Sequence, residues 1–107
     1  MSGRMARNKG ANGERELAAM LSDGLGFVVQ RKLGQARDGG DDIQVGKYRI
    51  EVKRHERVQI DKWSEQVEQA AGDGEVPVVV YRRNGQPWRV VVPIEWFIEQ
   101  VRETIDD

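Results

Sequence analysis

Two short alternating segments, Asp42-Ile43-Gln44-Val45 and Tyr48-Arg49-Ile50-Glu51-Val52-Lys53, meet at Gly46-Lys47, and this pattern leaves little choice in how the stretch folds. Glycine at the first central position of a two-residue turn suits a type II′ hairpin. With Gly46 and Lys47 as the turn, Val45 stands opposite Tyr48, Gln44 opposite Arg49, Ile43 opposite Ile50 and Asp42 opposite Glu51. Side chains alternate across a strand, so Ile43, Val45, Tyr48, Ile50 and Val52 take the core side. Asp42, Gln44, Arg49, Glu51 and Lys53 take the other, and two carboxylates come face to face.

Directly opposed residues have Cβ atoms roughly 4.5 to 5.5 Å apart, where like charges repel unless something neutralises them. A divalent cation does so; solvation on an exposed face, with Arg49 and Lys53 as weak surface partners, is the plainer alternative. The chain has no cysteine and a single histidine, His55, so thiolate and histidine-rich cages are excluded and a bound ion would be a hard one held by oxygens. Mg²⁺ or Mn²⁺ fits such a donor set. Lys53 lies two residues past Glu51 on the same face, about 6.6 to 6.8 Å along the strand, within reach of a water or phosphate oxygen beside the ion. Phosphodiester hydrolysis needs a deprotonated water and positive charge near the phosphate oxygens; a metal supplies both and a lysine adds to the second.

Residues 1–11 read as a flexible basic arm carrying Arg4, Arg7 and Lys9. Asn12 is the expected N-cap of a helix to about Asp23, with Leu17, Ala18, Met20 and Leu21 as its apolar side. Glu14 continues that stripe, either as a buried acid that needs a partner or as a helix-start residue favoured by the macrodipole, while Glu16 points away from it. Phe27-Val28-Val29 reads as a strand and Gly34 to Gly40 as a loop. A second helix is expected from near Asp61, with Ile60, Trp63, Val67, Ala70 and Ala71 on one face. Gln66 flanks that face, placed to orient a water or phosphate, and Gln69 projects further out. Val76 to Tyr81 reads as a strand covered on both sides, and Asn84-Gly85 turns it into Trp88 to Val92. A last helix after Pro93 aligns Ile94, Phe97, Ile98, Val101 and Ile105. The order αβββαββα predicts an α/β fold, a mixed sheet of about five strands flanked by helices, with residues 12–107 forming one domain.

A chain of 107 residues holds one hydrophobic core. It has no apolar run near the roughly 18 residues that span a bilayer, and its start lacks the apolar middle of a secretory signal. We therefore expect an intracellular protein that does not enter membranes. The net charge of −1 lacks the basic footprint usual for nucleic-acid binding, although basic residues lead the chain and acids close it, leaving room for a local basic face.

Lys9-Gly10-Ala11-Asn12-Gly13-Glu14-Arg15, Asp41-Asp42-Ile43 and Glu51-Val52-Lys53, in this order and spacing, resemble the motifs of the PD-(D/E)XK nucleases, and among them the small Holliday junction resolvases of archaea and their phage relatives. Asp41 stands where that family has proline, and the hairpin register selects Asp42 as the ligand. The resemblance implies a restriction-endonuclease-like core and hydrolysis of DNA to 5′-phosphate ends. It implies Mg²⁺, replaceable by Mn²⁺, held by Asp42, Glu51 and the Val52 carbonyl, with Lys53 on the water and Glu14 supporting the metal. It also implies branched DNA as substrate, a homodimer with two sites, and a cytoplasmic protein of cellular or phage origin. Lys9, Arg15, Arg37, Arg54 and Arg57 are candidates for phosphate contacts, because binding the DNA backbone requires cations near the cut strand.

Overall fold

The computed structural model describes residues 2–32 and 42–105, with backbone alone at 2–11, 32 and 42. The chain forms α1 (Ser2–Leu25), β1 (Arg31–Lys32), β2 (Asp42–Val45), β3 (Tyr48–Arg54), α2 (Ile60–Ala70), β4 (Val76–Arg82), β5 (Arg89–Val91) and α3 (Ile94–Ile105). The five strands make one sheet in chain order. β3 and β4 are parallel and every other neighbouring pair is antiparallel. A parallel pair cannot be joined by a tight turn, and α2 provides the crossover. The expected α/β fold and mixed sheet are thus observed.

The hairpin register is the expected one: Asp42 pairs with Glu51, Ile43 with Ile50, Gln44 with Arg49 and Val45 with Tyr48. Gly46 takes φ 55° while Lys47 stays at negative φ, as a type II′ turn requires. Alternation then splits the core in two. Ile43, Ile50, Val52, Val78 and Val80 meet Leu17 and Ala18 of α1 on one side of the sheet, and Val79 meets Trp63 and Val67 of α2 on the other. β4 is therefore buried from both sides, which is why its centre is a run of valines.

α1 differs from expectation in where it begins. It starts at Ser2 rather than at Asn12, because Arg4, Met5, Ala6 and Arg7 are good helix formers without an intervening proline. Asn12 lies within the helix, and its side chain accepts a hydrogen bond from Arg15 Nη1 at 3.2 Å instead of capping. Met20, expected on the apolar side, is 56% exposed, since the buried stripe runs through Glu14, Leu17 and Ala18 to Leu21. Phe27-Val28-Val29 is not a strand: the Val29 amide donates to Ser22 Oγ at 2.8 Å, and Ser22 in turn donates to the Ala18 carbonyl at 2.7 Å. With that amide used in closing α1 onto the core, sheet pairing begins only at Arg31. The loop expected at Gly34 to Gly40 lies outside the described residues.

Gly13 lets α1 approach the end of β3. A Cβ there would sit 3.1 Å from Arg54 Cβ and 3.8 Å from the Trp88 ring, whereas one on Gly24 would meet nothing within 4 Å. We predict that Gly13→Val lowers stability by about 1 to 3 kcal/mol through overpacking. Gly24→Ala should raise it by up to about 1 kcal/mol through helix propensity. Urea titration of both variants checks the contrast.

Candidate active site

Glu51 and Lys53 both lie near the C-terminal end of β3. The parallel register sets Glu51 beside Val79 and Lys53 beside Tyr81, so both side chains take the α2 side of the sheet. Lys53 Nζ is 3.3 Å from Glu51 Oε2, and the two side chains are only 13% and 5% exposed. Burial at that level removes the solvated-surface explanation for Glu51, since a buried carboxylate is costly unless a cation meets it. Trp63 closes this side, its ring 5.8 Å from that of Tyr81 and 5.5 Å from that of His55. The Asp42 backbone lies directly across from Glu51. Its side chain lies outside the described residues.

Glu14 is buried on the other side of the sheet. Arg31 Nη1 donates to its Oε1 at 3.3 Å, and Arg31 pairs with Ile43, whose side chain packs under α1. Glu14 is well inside α1, which removes the helix-start reading and leaves the buried acid with a partner. Sequence reasoning missed Arg31: it is seventeen residues away in a two-residue edge strand that no alternation marks. Beside this pair an open groove of about 350 Å³ is lined by Arg15, Ala18, Val29, Gln30 and Arg31.

The other candidates are dispersed. Gln66, Arg15 and Arg57 are exposed, on α2, on α1 and after β3 respectively. Arg54 Nη2 donates to Asn84 Oδ1 at 3.3 Å, and its Nε is buried with no hydrogen-bond partner among the described residues. Lys9 is described only by its backbone within α1, and Arg37 lies outside the described residues.

Glu16, which points away from the core, is nonetheless held. Arg82 donates to it twice, from Nε to Oε1 at 2.8 Å and from Nη2 to Oε2 at 3.0 Å, and the same guanidinium lies 5.3 Å from the centre of the Trp88 ring. The Arg82 hydrogen bonds hold the Glu16 carboxyl below its ordinary range, against partial burial, with the charges of Arg82 and Arg54 and a Trp88 hydrogen bond adding to the effect. A depressed carboxyl stabilises the fold above its unfolded value and loses that contribution as pH falls through the folded one. The side chain is 45% exposed, so the contribution is small, under about 1 kcal/mol. Denaturant unfolding across a series of acid pH values should therefore show Glu16→Gln less stable than the original chain at pH 7, with the difference shrinking as the pH is lowered through the depressed carboxyl's range.

Among the described residues no three His, Cys, Asp or Glu side chains gather to hold an ion, and the Asp42 side chain is not one of those described. β3 offers the Glu51 carboxylate and the Val52 carbonyl, and β2 sets the Asp42 backbone opposite Glu51, residue types chemically suited to a hard divalent cation. No helix among the described residues is long and apolar enough to cross a membrane. A model of the family described as phage putative PDDEXK endonuclease matches residues 5–106. No curated protein matches the chain.

Proposed function

We propose, since this chain belongs to the phage putative PDDEXK endonuclease family, that it is a Mg²⁺-dependent, structure-selective DNA endonuclease that cuts branched DNA as a pair of identical subunits, in the manner of a Holliday junction resolvase. The observation that carries the reading is the hairpin: Asp42 stands opposite Glu51, and Lys53 is 3.3 Å from the Glu51 carboxylate in a nearly buried setting. Opposing two acids in a sheet is destabilising for a purely structural element and useful for one that takes up a cation.

In this reading Asp42, Glu51 and the Val52 carbonyl hold Mg²⁺, with Mn²⁺ able to substitute. When bound, the ion acidifies a water and draws charge from the phosphate oxygens. Lys53, already 3.3 Å from the Glu51 carboxylate, orients that water and places a second positive charge beside the scissile phosphate. Glu14, held by Arg31 on the α1 side of the sheet, lies across the sheet from Glu51 and Lys53 and is left out of the metal shell, while Gln66 orients water or phosphate from α2. Lys9, Arg15, Arg37, Arg54 and Arg57 contact the DNA backbone, and the first turns of α1, which carry Arg4, Arg7 and Lys9, extend that contact. A DNA substrate places the work inside the cell, in the cytoplasm of a host when the gene is a phage's.

The test is cleavage of a labelled four-way junction beside linear duplex, flap and single-stranded DNA, with Mg²⁺, Mn²⁺ or chelator. Paired cuts confined to the junction and leaving 5′-phosphates support the full reading. Metal-dependent cutting of the other substrates keeps the endonuclease and discards the junction. Binding without any cutting would identify a non-catalytic DNA-binding protein on this fold.

A further inference from the structure

α3 lies with its apolar side outward. Ile94, Phe97, Ile98, Val101 and Ile105, which the sequence sets on one face, are 61%, 52%, 48%, 37% and 73% exposed, and α3 buries no residue. The cause is the helix's anchor. Trp96 Nε1 donates to the Tyr48 hydroxyl at 3.0 Å, and the two rings meet edge to face at 5.8 Å. Trp96 is two residues past Ile94, about 200° around the helix, so the contact that attaches α3 to β3 turns the apolar stripe away from the sheet. A contiguous apolar face of this kind on a folded chain marks an interaction surface.

We infer that this face pairs with the same face of a second copy, two α3 helices lying antiparallel about a two-fold axis near Glu99. The side chains outside the description include only Met1, Met5 and Leu33 as large apolar ones, too few to cover a five-residue stripe. A membrane surface is a poor match, because α3 carries Glu95, Glu99 and Glu103 against Arg102 alone, the opposite of the basic polar face that interfacial helices use. The face does complement itself. Glu95 and Arg102 are seven residues apart and therefore share one flank of the stripe. In an antiparallel pair each flank meets its own counterpart, so Glu95 faces Arg102 of the second copy and Arg102 faces its Glu95, while Phe97 meets Val101 and Ile94 meets Ile105. A parallel pair would lose both ion pairs. This inference supplies a surface for the paired subunits proposed above, yet it stands on α3 alone and is read without DNA or metal.

Analytical ultracentrifugation of the full chain from about 1 to 100 μM tests it, a span covering ordinary dimer affinities. The expected result is a monomer–dimer equilibrium. Ile98→Glu, at a residue already about half exposed in the single chain, should raise the dimer Kd about a hundredfold or more by burying an unpaired carboxylate. Arg102→Glu should raise it at least about tenfold by setting it against Glu95. The double exchange Glu95→Arg with Arg102→Glu should return Kd to within about threefold of the original. Circular dichroism confirms that each variant folds. A chain monomeric throughout, including one that instead sediments with phosphatidylcholine vesicles, overturns the proposal, and so does a double exchange that fails to restore pairing. Neither result bears on whether the chain cuts DNA.

Discussion

Asp42→Asn is expected to lower metal-dependent DNA cleavage by at least about a thousandfold while DNA binding stays within about threefold, because in the proposed site the residue would act on the reacting phosphate through a bound ion and not on the DNA backbone. The variant should also separate two effects on stability. Without metal, the asparagine relieves repulsion against Glu51 across the hairpin, and the chain should gain up to about 1 kcal/mol. With Mn²⁺ at a hundred times its Kd, the original chain should gain about 2.7 kcal/mol from binding and the variant almost none. Thermal melts with and without Mn²⁺ read this second effect independently of activity. A variant that loses cleavage but keeps the metal-induced shift would place the ion elsewhere. One that keeps cleavage would remove Asp42 from the site.

Trp63→Ala should be the most destabilising single substitution on the α2 side of the sheet. Trp63 is 2% exposed, and among the described residues the buried cluster there contains only Val67 and Val79 besides it. Truncating a buried tryptophan costs about 3 to 5 kcal/mol, a large part of the roughly 5 to 15 kcal/mol that holds a domain of this size together. The melting temperature should fall by more than about 12 °C. Phe27→Ala, removing a side chain that is 56% exposed, should change stability by no more than about 0.5 kcal/mol. Calorimetry on the pair decides whether α2 is held by this contact. Since Glu51 and Lys53 occupy the same side of β3, loosening α2 also exposes their ion pair to water, and metal-induced stabilisation should weaken with it.

The hairpin could be read in full from the sequence because two local signals agree there. A period of two assigns each side chain to a face, and the glycine turn sets which residues stand opposite. The valine run of β4 and the Trp63–Val67 face of α2 were legible for the same reason, since burial and periodicity are written in neighbouring residues. Phe27-Val28-Val29 misled because three apolar residues in a row do not distinguish a strand from a segment that merely closes a helix onto the core. Ser22, which takes the Val29 amide, makes that distinction only once the chain has turned back on itself.

Glu14 shows the limit most clearly. Its place on the apolar stripe of α1 said that it needed a partner; that the partner is Arg31 followed only from α1 lying across the β1–β2 edge. α3 shows it again: the pattern from Ile94 to Ile105 demands that a face be covered, and the Trp96–Tyr48 contact decided that the sheet would not cover it. Sequence alone determined the hairpin and its register, the strand β4, the helices α2 and α3 and the opposition of Asp42 to Glu51 along the backbone, because backbone periodicity and turn geometry act over a few residues. The tertiary structure alone decided that Glu51 and Lys53 are buried together, that Glu14 is held by Arg31 and that α3 faces outward. Those outcomes depend on which surfaces remain after every other element has packed, and no short stretch of chain carries that information.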